Sequence, residues 1–216
     1  MTMPNPAQDF LDQEVALDLR PLFPAALKRA YATANRLIRD VPALATTGGR
    51  LQRGDLIAAA AEYEVEKLVT TGQLPFDCSW EPYARPTGLH LVVYTSAARL
   101  TINQVEDPRH KPRSAVFREN YGLANKPYLF DYMNEEELRR TGRKHLLLIH
   151  GYQDLNFAHL AVPHGTRNHH IAKTPNLLLM PHIVSESVPD AEGPTDTPEL
   201  EAIEHLTRII RDHNDE

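Results

Sequence analysis

The sequence predicts an α+β fold, with a helical N-terminal section packed on a small mixed or antiparallel sheet and an amphipathic helix at the C-terminal end. Apolar residues recur at helical spacing in the first third of the chain, alternate at strand spacing in the middle, and return to helical spacing at the end. The chain has 216 residues, of which 42% are hydrophobic, so it can bury a core. Helices and strands alternate too rarely for a doubly wound parallel sheet.

Two helices are predicted in the N-terminal section. The first begins after Pro24 and ends near Val41, and the second covers residues 56–69. Asp55 is the expected N-cap of the second helix, and Gly72 suits the left-handed position after its last turn. The first helix has an apolar face formed by Leu27, Tyr31, Ala34 and either Leu37 or Ile38.

Strand patterns occupy the middle of the chain. Residues 89–94 and 99–105 alternate between apolar and polar side chains and are separated by a short link, which predicts two adjacent antiparallel strands. Residues 144–152 form a third predicted strand, whose centre at 146–149 is continuously apolar and is therefore expected to be covered on both faces. Residues 176–180 are a further short strand candidate.

The remaining segments of the middle section have weaker patterns. Prolines make residues 80–88 irregular, and residues 106–126 read as a long loop with one turn of helix around Val116. Short helices are predicted at residues 134–142, which begin with an asparagine N-cap, and at residues 154–160.

The chain divides into four predicted parts. A helical section covers residues 1–74, and the sheet section of the same globular unit covers residues 75–185. Residues 186–197 form an acidic linker, and residues 198–216 form the C-terminal helix. We expect this helix to bind its own domain, a protein partner or a second copy of the chain through an apolar stripe of Leu200, Ile203, Leu206 and Ile210.

Composition excludes several classes of function. The net charge is −6, so no global positive field indicates nucleic-acid binding. The apolar runs fall well below the roughly 18 residues of a membrane span, and no signal-peptide pattern precedes Arg20. Cys78 is the single cysteine, which excludes an intramolecular disulfide and a multi-cysteine zinc site. We therefore expect a cytoplasmic protein that has no contact with membranes.

Histidine is the compositional anomaly, because seven of the 11 histidines lie between positions 145 and 182. Imidazole is a common metal ligand and the usual acid or base near neutral pH. We therefore predict a cavity in which His150, His159, His164 and His170 bind a divalent metal such as zinc. His150 and His164 are the predicted catalytic residues, with Asp154 orienting one of them. The alternative is that these histidines are dispersed and only make local hydrogen bonds.

Basic residues in the long loop provide a second candidate feature. Residues 106–120 contain four permanent cations and three anions, and guanidinium groups can hold a phosphate by paired hydrogen bonds. We predict Arg109, Arg113 and Arg167 as phosphate-binding residues. The alternative is a solvated surface of mixed charge.

No nucleotide-binding, dinucleotide-binding, serine-hydrolase or calcium-loop motif is present. The sequence therefore favours a histidine-dependent, metal-assisted hydrolase of a phosphoester or nucleotide-like substrate. The competing hypothesis is a non-catalytic binding or regulatory subunit that uses the sheet and the C-terminal helix as an interaction surface.

Overall fold

The described residues form helices and a mixed sheet, which confirms the α+β class. The computed structural model describes residues 5–83, 88–125 and 142–180. The helices of these residues are α1 Pro6–Glu14, α2 Leu22–Asp40, α3 Pro42–Ala45, α4 Thr47–Arg50, α5 Arg53–Thr70 and α6 Val116–Gly122. Short 3-10 helices cover Leu123–Asn125 and Leu177–Leu179.

One mixed sheet contains the six strands of the described residues, arranged in chain order. They are β1 Asp77–Pro82, β2 Leu89–Tyr94, β3 Ala98–Val105, β4 Lys144–Gly151, β5 Ala158–Pro163 and β6 His170–Lys173. Neighbouring strands are antiparallel except for β3 and β4, which are parallel. A parallel pair needs a long crossover connection. The chain between β3 and β4 provides it and carries α6.

Two clusters of buried apolar side chains lie on opposite faces of the sheet. The larger cluster joins α1, α2 and α5 to one face and includes Leu100, Leu146 and Leu148. Alternate residues of β4, Leu147 and Ile149, belong to a smaller cluster on the other face. Every residue of β4 is therefore buried, as its continuous apolar centre predicts.

Strands β2 and β3 are paired along only part of their length. The two strands pair only from Val92 to Tyr94, so the amide of Leu91 has no partner on β3. The carboxylate of Glu62, on α5, accepts a hydrogen bond from this amide at 3.1 Å. Burial raises the pKa of Glu62 to about 7, despite the opposing effect of this hydrogen bond.

Several predicted elements agree with the structure. Helix α2 ends at Asp40, and Val41 follows it with an extended conformation. Gly72 has the predicted left-handed backbone, with a φ of 73°. Strands β2 and β3 pair antiparallel.

Other predictions are wrong or incomplete. Residues 154–160 do not form a helix, because they lead into β5, and residues 176–180 contain a 3-10 helix in place of a strand. The N-cap of α5 is Gln52, so Asp55 lies in the first helical turn. Helix α6 extends the single turn predicted near Val116 to seven residues. Residues 80–82 belong to strand β1, so the prediction that residues 80–88 are irregular is wrong for its first part. Helices α1, α3 and α4 and strands β1 and β6 were not predicted.

Some predictions concern residues outside the described parts. These are the short helix at residues 134–142, apart from Gly142, the acidic linker and the C-terminal helix at residues 198–216. Among the described helices, none has the length and apolar character needed to cross a membrane.

We predict that Gly151→Ala destabilises the fold, because the turn after β4 brings other atoms against this glycine. A Cβ there would lie 2.0 Å from the backbone oxygen of Asp154 and 2.2 Å from the Oδ1 of Asn156. Relieving this overlap requires the turn to move, and overpacking of this kind costs about 1–3 kcal/mol. The free energy of unfolding, measured by urea denaturation, should fall by this amount.

Gly48→Ala is the matched control, because no heavy atom lies within 4 Å of the Cβ position at Gly48. Gly48 lies in α4, where alanine favours the helix by about 1 kcal/mol. Equal stability of the Gly151→Ala variant and the wild-type protein would contradict the described turn.

Candidate functional site

A cavity of about 740 Å³ lies between two parts of the chain. One part is the described segment that follows β3, residues 106–125, which we call the crossover segment. The other part is the start of β4 and the end of β5. One wall consists of residues 111–114 and part of α6. The opposite wall consists of His145 and Leu147 on β4 together with the loop that follows β5. The volume is in the range of roughly 300–1,000 Å³ that is typical of small-molecule sites.

Four hydrogen bonds hold the start of the crossover segment against the neighbouring strands. The Lys111 Nζ atom donates to the carbonyl of His164 at 3.0 Å, and its backbone amide donates to Asn168 at 3.2 Å. Lys173 of β6 donates to the carbonyl of Pro108, and a ring nitrogen of His170 lies 3.2 Å from the carbonyl of His110. The long loop predicted from the sequence is therefore anchored along its first part.

A pair of glycines lets the crossover segment approach the loop after β5. A Cβ on Gly165 would lie 2.7 Å from the carbonyl oxygen of Gly122, at the end of α6. A larger residue at position 165 could not approach so closely, whereas a Cβ on Gly122 would lie at an ordinary contact distance of 3.5 Å. This contact sets the separation of the two cavity walls.

The described side chains that line the cavity carry a net positive charge. Three are permanent cations, namely Lys111, Arg113 and Arg118, and one is a carboxylate, Glu119. Their formal sum is 3 − 1 = +2, whereas the whole chain has a net charge of −6. Glu119 accepts a hydrogen bond from the hydroxyl of Ser114. The cavity is therefore a local positive region on an acidic protein.

Arg118 is the cation of the cavity lining whose guanidinium makes contacts with several neighbouring residues. Its Nη1 atom donates to the side-chain oxygen of Asn103 at 2.8 Å, and its Nε atom donates to the carbonyl of Arg113 at 3.0 Å. The guanidinium also lies 4.8 Å from the ring centroid of Phe117. Within the described residues it has no carboxylate partner, and burial lowers its pKa. A half-buried cation without an acidic partner is suited to an anionic ligand.

The predicted phosphate-binding arginines occupy different positions. Arg113 lines the cavity. Arg109 lies outside the cavity wall and binds Asp107 through its Nη2 atom at 2.6 Å, with its side chain 81% exposed. Arg167 is exposed and also lies outside the wall. The structure therefore brings one of the three predicted arginines to the cavity.

His145 lies at the base of the cavity and is 1% exposed. Its backbone amide and carbonyl both bind the side chain of Asn125, which also donates to the carbonyl of Pro163. Burial, assisted by the charges of Arg118 and other nearby cations, lowers the pKa of His145 to about 3. The imidazole is therefore neutral at physiological pH. Its Nδ1 atom has no hydrogen-bond partner among the described residues.

His164 lies at the rim of the same cavity. Its Nδ1 atom accepts hydrogen bonds from the backbone amides of Thr166 and Arg167, at 3.1 and 3.0 Å. The neutral ring must therefore hold its proton on Nε2, which is then a hydrogen-bond donor. Partial burial and the charges of His169 and Arg167 lower the pKa of His164. His164 is the predicted catalytic residue that the structure brings to the cavity.

The other predicted metal ligands, which are His150, His159 and His170, are not among the described residues that line the cavity. His150 pairs with Ala158, on the face that packs against the helices, whereas His159 pairs with Ile149 on the opposite face. The Nδ1 atom of His159 lies 2.8 Å from the carbonyl of Thr174. Among the described residues, no group of three histidine, cysteine, aspartate or glutamate side chains could hold a metal ion. The described residues therefore do not fit the predicted zinc site.

His150 is buried against α2. The hydroxyl of Tyr31 donates to the carbonyl of Gly151 and lies 2.8 Å from the Nδ1 atom of His150. Because the hydroxyl has one proton, the Nδ1 atom of His150 must be the donor in the second contact. Burial lowers the pKa of His150 to about 4. This histidine is part of the core on the helical face of the sheet.

Asp154 lies on the surface near this contact. Its carboxylate is 3.4 Å from Arg53, and its side chain is 82% exposed. No hydrogen bond connects it to a histidine among the described residues. The predicted pairing of Asp154 with a catalytic histidine is not observed.

The arrangement favours binding over proton transfer by histidine. Arg118, Lys111 and Arg113 provide cationic donors, and two neutral imidazoles provide further donors at the base and rim. A histidine with a pKa of about 3 is a weak base at neutral pH and is not protonated there to act as an acid. Three residues that line the cavity were not predicted as site residues from the sequence, namely Lys111, Arg118 and His145. Strand alternation was the available signal for His145, because it shares one face of β4 with Leu147.

No protein family, curated protein or solved structure matches this chain.

We predict that the buried histidines make the fold sensitive to acid. His145 and His150 have pKa values of about 3 and about 4 in the folded protein, below the ordinary histidine value of 6.5. Below pH 6.5 the unfolded chain binds protons that the folded chain does not bind, so the free energy of unfolding falls towards pH 4. Each ring contributes up to about 1.4 kcal/mol per pH unit.

Glu62 acts in the opposite direction, because its raised pKa lets the folded protein hold a proton between pH 4.5 and 7 that the unfolded chain releases. The test therefore compares variants by urea denaturation at pH 7.5 and pH 5.0. The wild-type protein should lose more stability between the two pH values than His150→Gln, which lacks the contribution of His150. An equal loss in both proteins would contradict the burial of a neutral His150.

Proposed function

We propose that this protein binds a phosphate-bearing small molecule, of the phosphoester or nucleotide kind, in the cavity between α6 and strands β4 and β5. The observation that supports the proposal is Arg118, a half-buried guanidinium in the cavity wall without a carboxylate partner among the described residues. A partly desolvated cation that lacks a carboxylate partner is suited to bind an anionic ligand, because the ligand supplies the missing negative charge.

The chemistry of the lining favours phosphate over other anions. A phosphate group presents three or more acceptor oxygens and up to two negative charges, and both match a cavity with three cations and neutral imidazole donors. The volume of about 740 Å³ leaves room for an organic group attached to the phosphate. Leu123, Leu147 and Pro163 provide apolar surface for that group.

A hydrolase, as the sequence predicts, would bind a ligand of the same class, namely a phosphoester or a nucleotide-like molecule. His164 is the predicted catalytic residue at this cavity, and Glu119 is the carboxylate among the described lining residues. The binding proposal requires neither residue to transfer a proton. The alternative hypothesis, a protein-binding subunit, depends on residues 198–216, which lie outside the described parts of the chain.

We predict that Arg118→Gln weakens binding of adenosine 5′-monophosphate and of pyrophosphate by about 10- to 100-fold. The substitution removes a charge-assisted hydrogen bond, and such bonds contribute about 1.5–3 kcal/mol. Isothermal titration calorimetry of the wild-type protein and the variant gives the two dissociation constants. Arg113→Gln, at an exposed position of the same wall, should weaken binding in the same direction without affecting the fold.

Arg109→Gln is the matched control, because it removes the same charge from the same segment but outside the cavity wall. Its dissociation constants should stay within about twofold of the wild-type values, which corresponds to less than about 0.5 kcal/mol. An equal effect of Arg109→Gln and Arg118→Gln would indicate general electrostatic attraction and contradict a built site. Absence of binding to the wild-type protein at millimolar ligand would also overturn the proposal.

A further inference from the structure

A chain of buried side chains connects Arg118 to His145. The Nη1 atom of Arg118 lies 2.8 Å from the Oδ1 of Asn103, and the Nδ2 of Asn103 lies 3.0 Å from the hydroxyl of Thr101. That hydroxyl lies 2.9 Å from the Nε2 of His145. Asn103, Thr101 and His145 are all buried. All three side chains lie on the same face of the sheet, which is the face that carries α6, because every second residue of a strand points to the same side.

Each donor in this chain can be assigned by elimination. Arg118 has only donors, so the atom of Asn103 that it contacts must be the amide oxygen. The amide nitrogen of Asn103 therefore donates to Thr101, whose hydroxyl keeps one proton to donate. Because Thr101 is buried, that proton needs an acceptor, and the Nε2 atom of His145 is the acceptor in contact with it.

The assignment determines which nitrogen of His145 carries its proton. With Nε2 accepting from Thr101, the neutral ring must hold its proton on Nδ1. The Nδ1 atom is buried and has no partner among the described residues, although the residue lines the cavity. An unpaired buried donor carries a cost that an acceptor atom would remove, and His145 belongs to the lining of the cavity where a ligand could supply one.

We infer that the chain Arg118–Asn103–Thr101–His145 fixes His145 as a donor through Nδ1, and that this donor binds an oxygen of the ligand phosphate. The inference rests on the proposed function and extends it, because it names a recognition residue at the base of the cavity. Arg118 then contributes twice, as a cation at the ligand and as the group that orients the chain. The site consequently selects an unprotonated acceptor oxygen at His145.

The test compares Thr101→Val, which has the same shape but no hydroxyl, with Thr101→Ser, which keeps the hydroxyl. Nitrogen-15 NMR of the ligand-free protein reports the protonated ring nitrogen of His145. The wild-type protein and Thr101→Ser should show the Nδ1–H form, and Thr101→Val should lose this preference. Calorimetry should show adenosine 5′-monophosphate binding at least fivefold more weakly to Thr101→Val, with Thr101→Ser within about twofold of the wild-type protein.

The outcomes separate this inference from the proposed function. An Nε2–H form in the wild-type protein would overturn the assignment of donors, whatever the ligand does. Wild-type affinity in Thr101→Val, together with weak binding in Arg118→Gln, would overturn the role of His145 and leave the proposed function standing. If the wild-type protein binds neither adenosine 5′-monophosphate nor pyrophosphate, both proposals fail. Thermal unfolding of each variant shows whether a loss of affinity reflects a loss of fold.

Discussion

The parallel pairing of β3 and β4 determines the path of the chain between these strands, and with it the positions of α6 and the cavity. Their register extends from Ala98 opposite Lys144 to Val105 opposite Gly151, so both strands run in the same direction over their full length. The chain must therefore return from one end of the sheet to the other before β4 can begin. That return carries α6 across the face of the sheet that the longer helices leave open. The cavity lies where α6 meets β4 and the loop after β5.

Strand alternation then decides which polar groups can meet. On β4, His145 lies on the face that carries α6, whereas His150 lies on the face that carries α2. Five positions separate them, and an odd separation places two strand residues on opposite faces. Crowding of histidines along the chain therefore does not bring them together in space. The same alternation places Thr101 and Asn103 on the face of His145, although no sequence pattern indicated a role for either residue.

The sequence predicted the elements whose patterns are determined locally. Strands β2 and β3 alternate clearly, and the apolar centre of β4 indicated cover on both faces. Strand β5, Ala158–Pro163, was missed because it is buried throughout, and a short buried strand lacks the alternation that distinguishes it from a helix. Arg113 and His164, which were predicted from the sequence as site residues, both line the cavity. Strand alternation could place His145 on the same face as Leu147, but its proximity to Arg118 could not be predicted. That proximity depends on strand register and on the path of the crossover, which local patterns do not encode.

We expect a phosphate group to bind between Arg118 and the base of the cavity. A crystal structure of the protein with adenosine 5′-monophosphate is the decisive test. Phosphate oxygens should lie within hydrogen-bond distance of the Arg118 guanidinium and of the Nδ1 atom of His145, with the nucleoside against the apolar part of the wall. A nucleotide bound elsewhere on the protein, with both of these groups unoccupied, would contradict it.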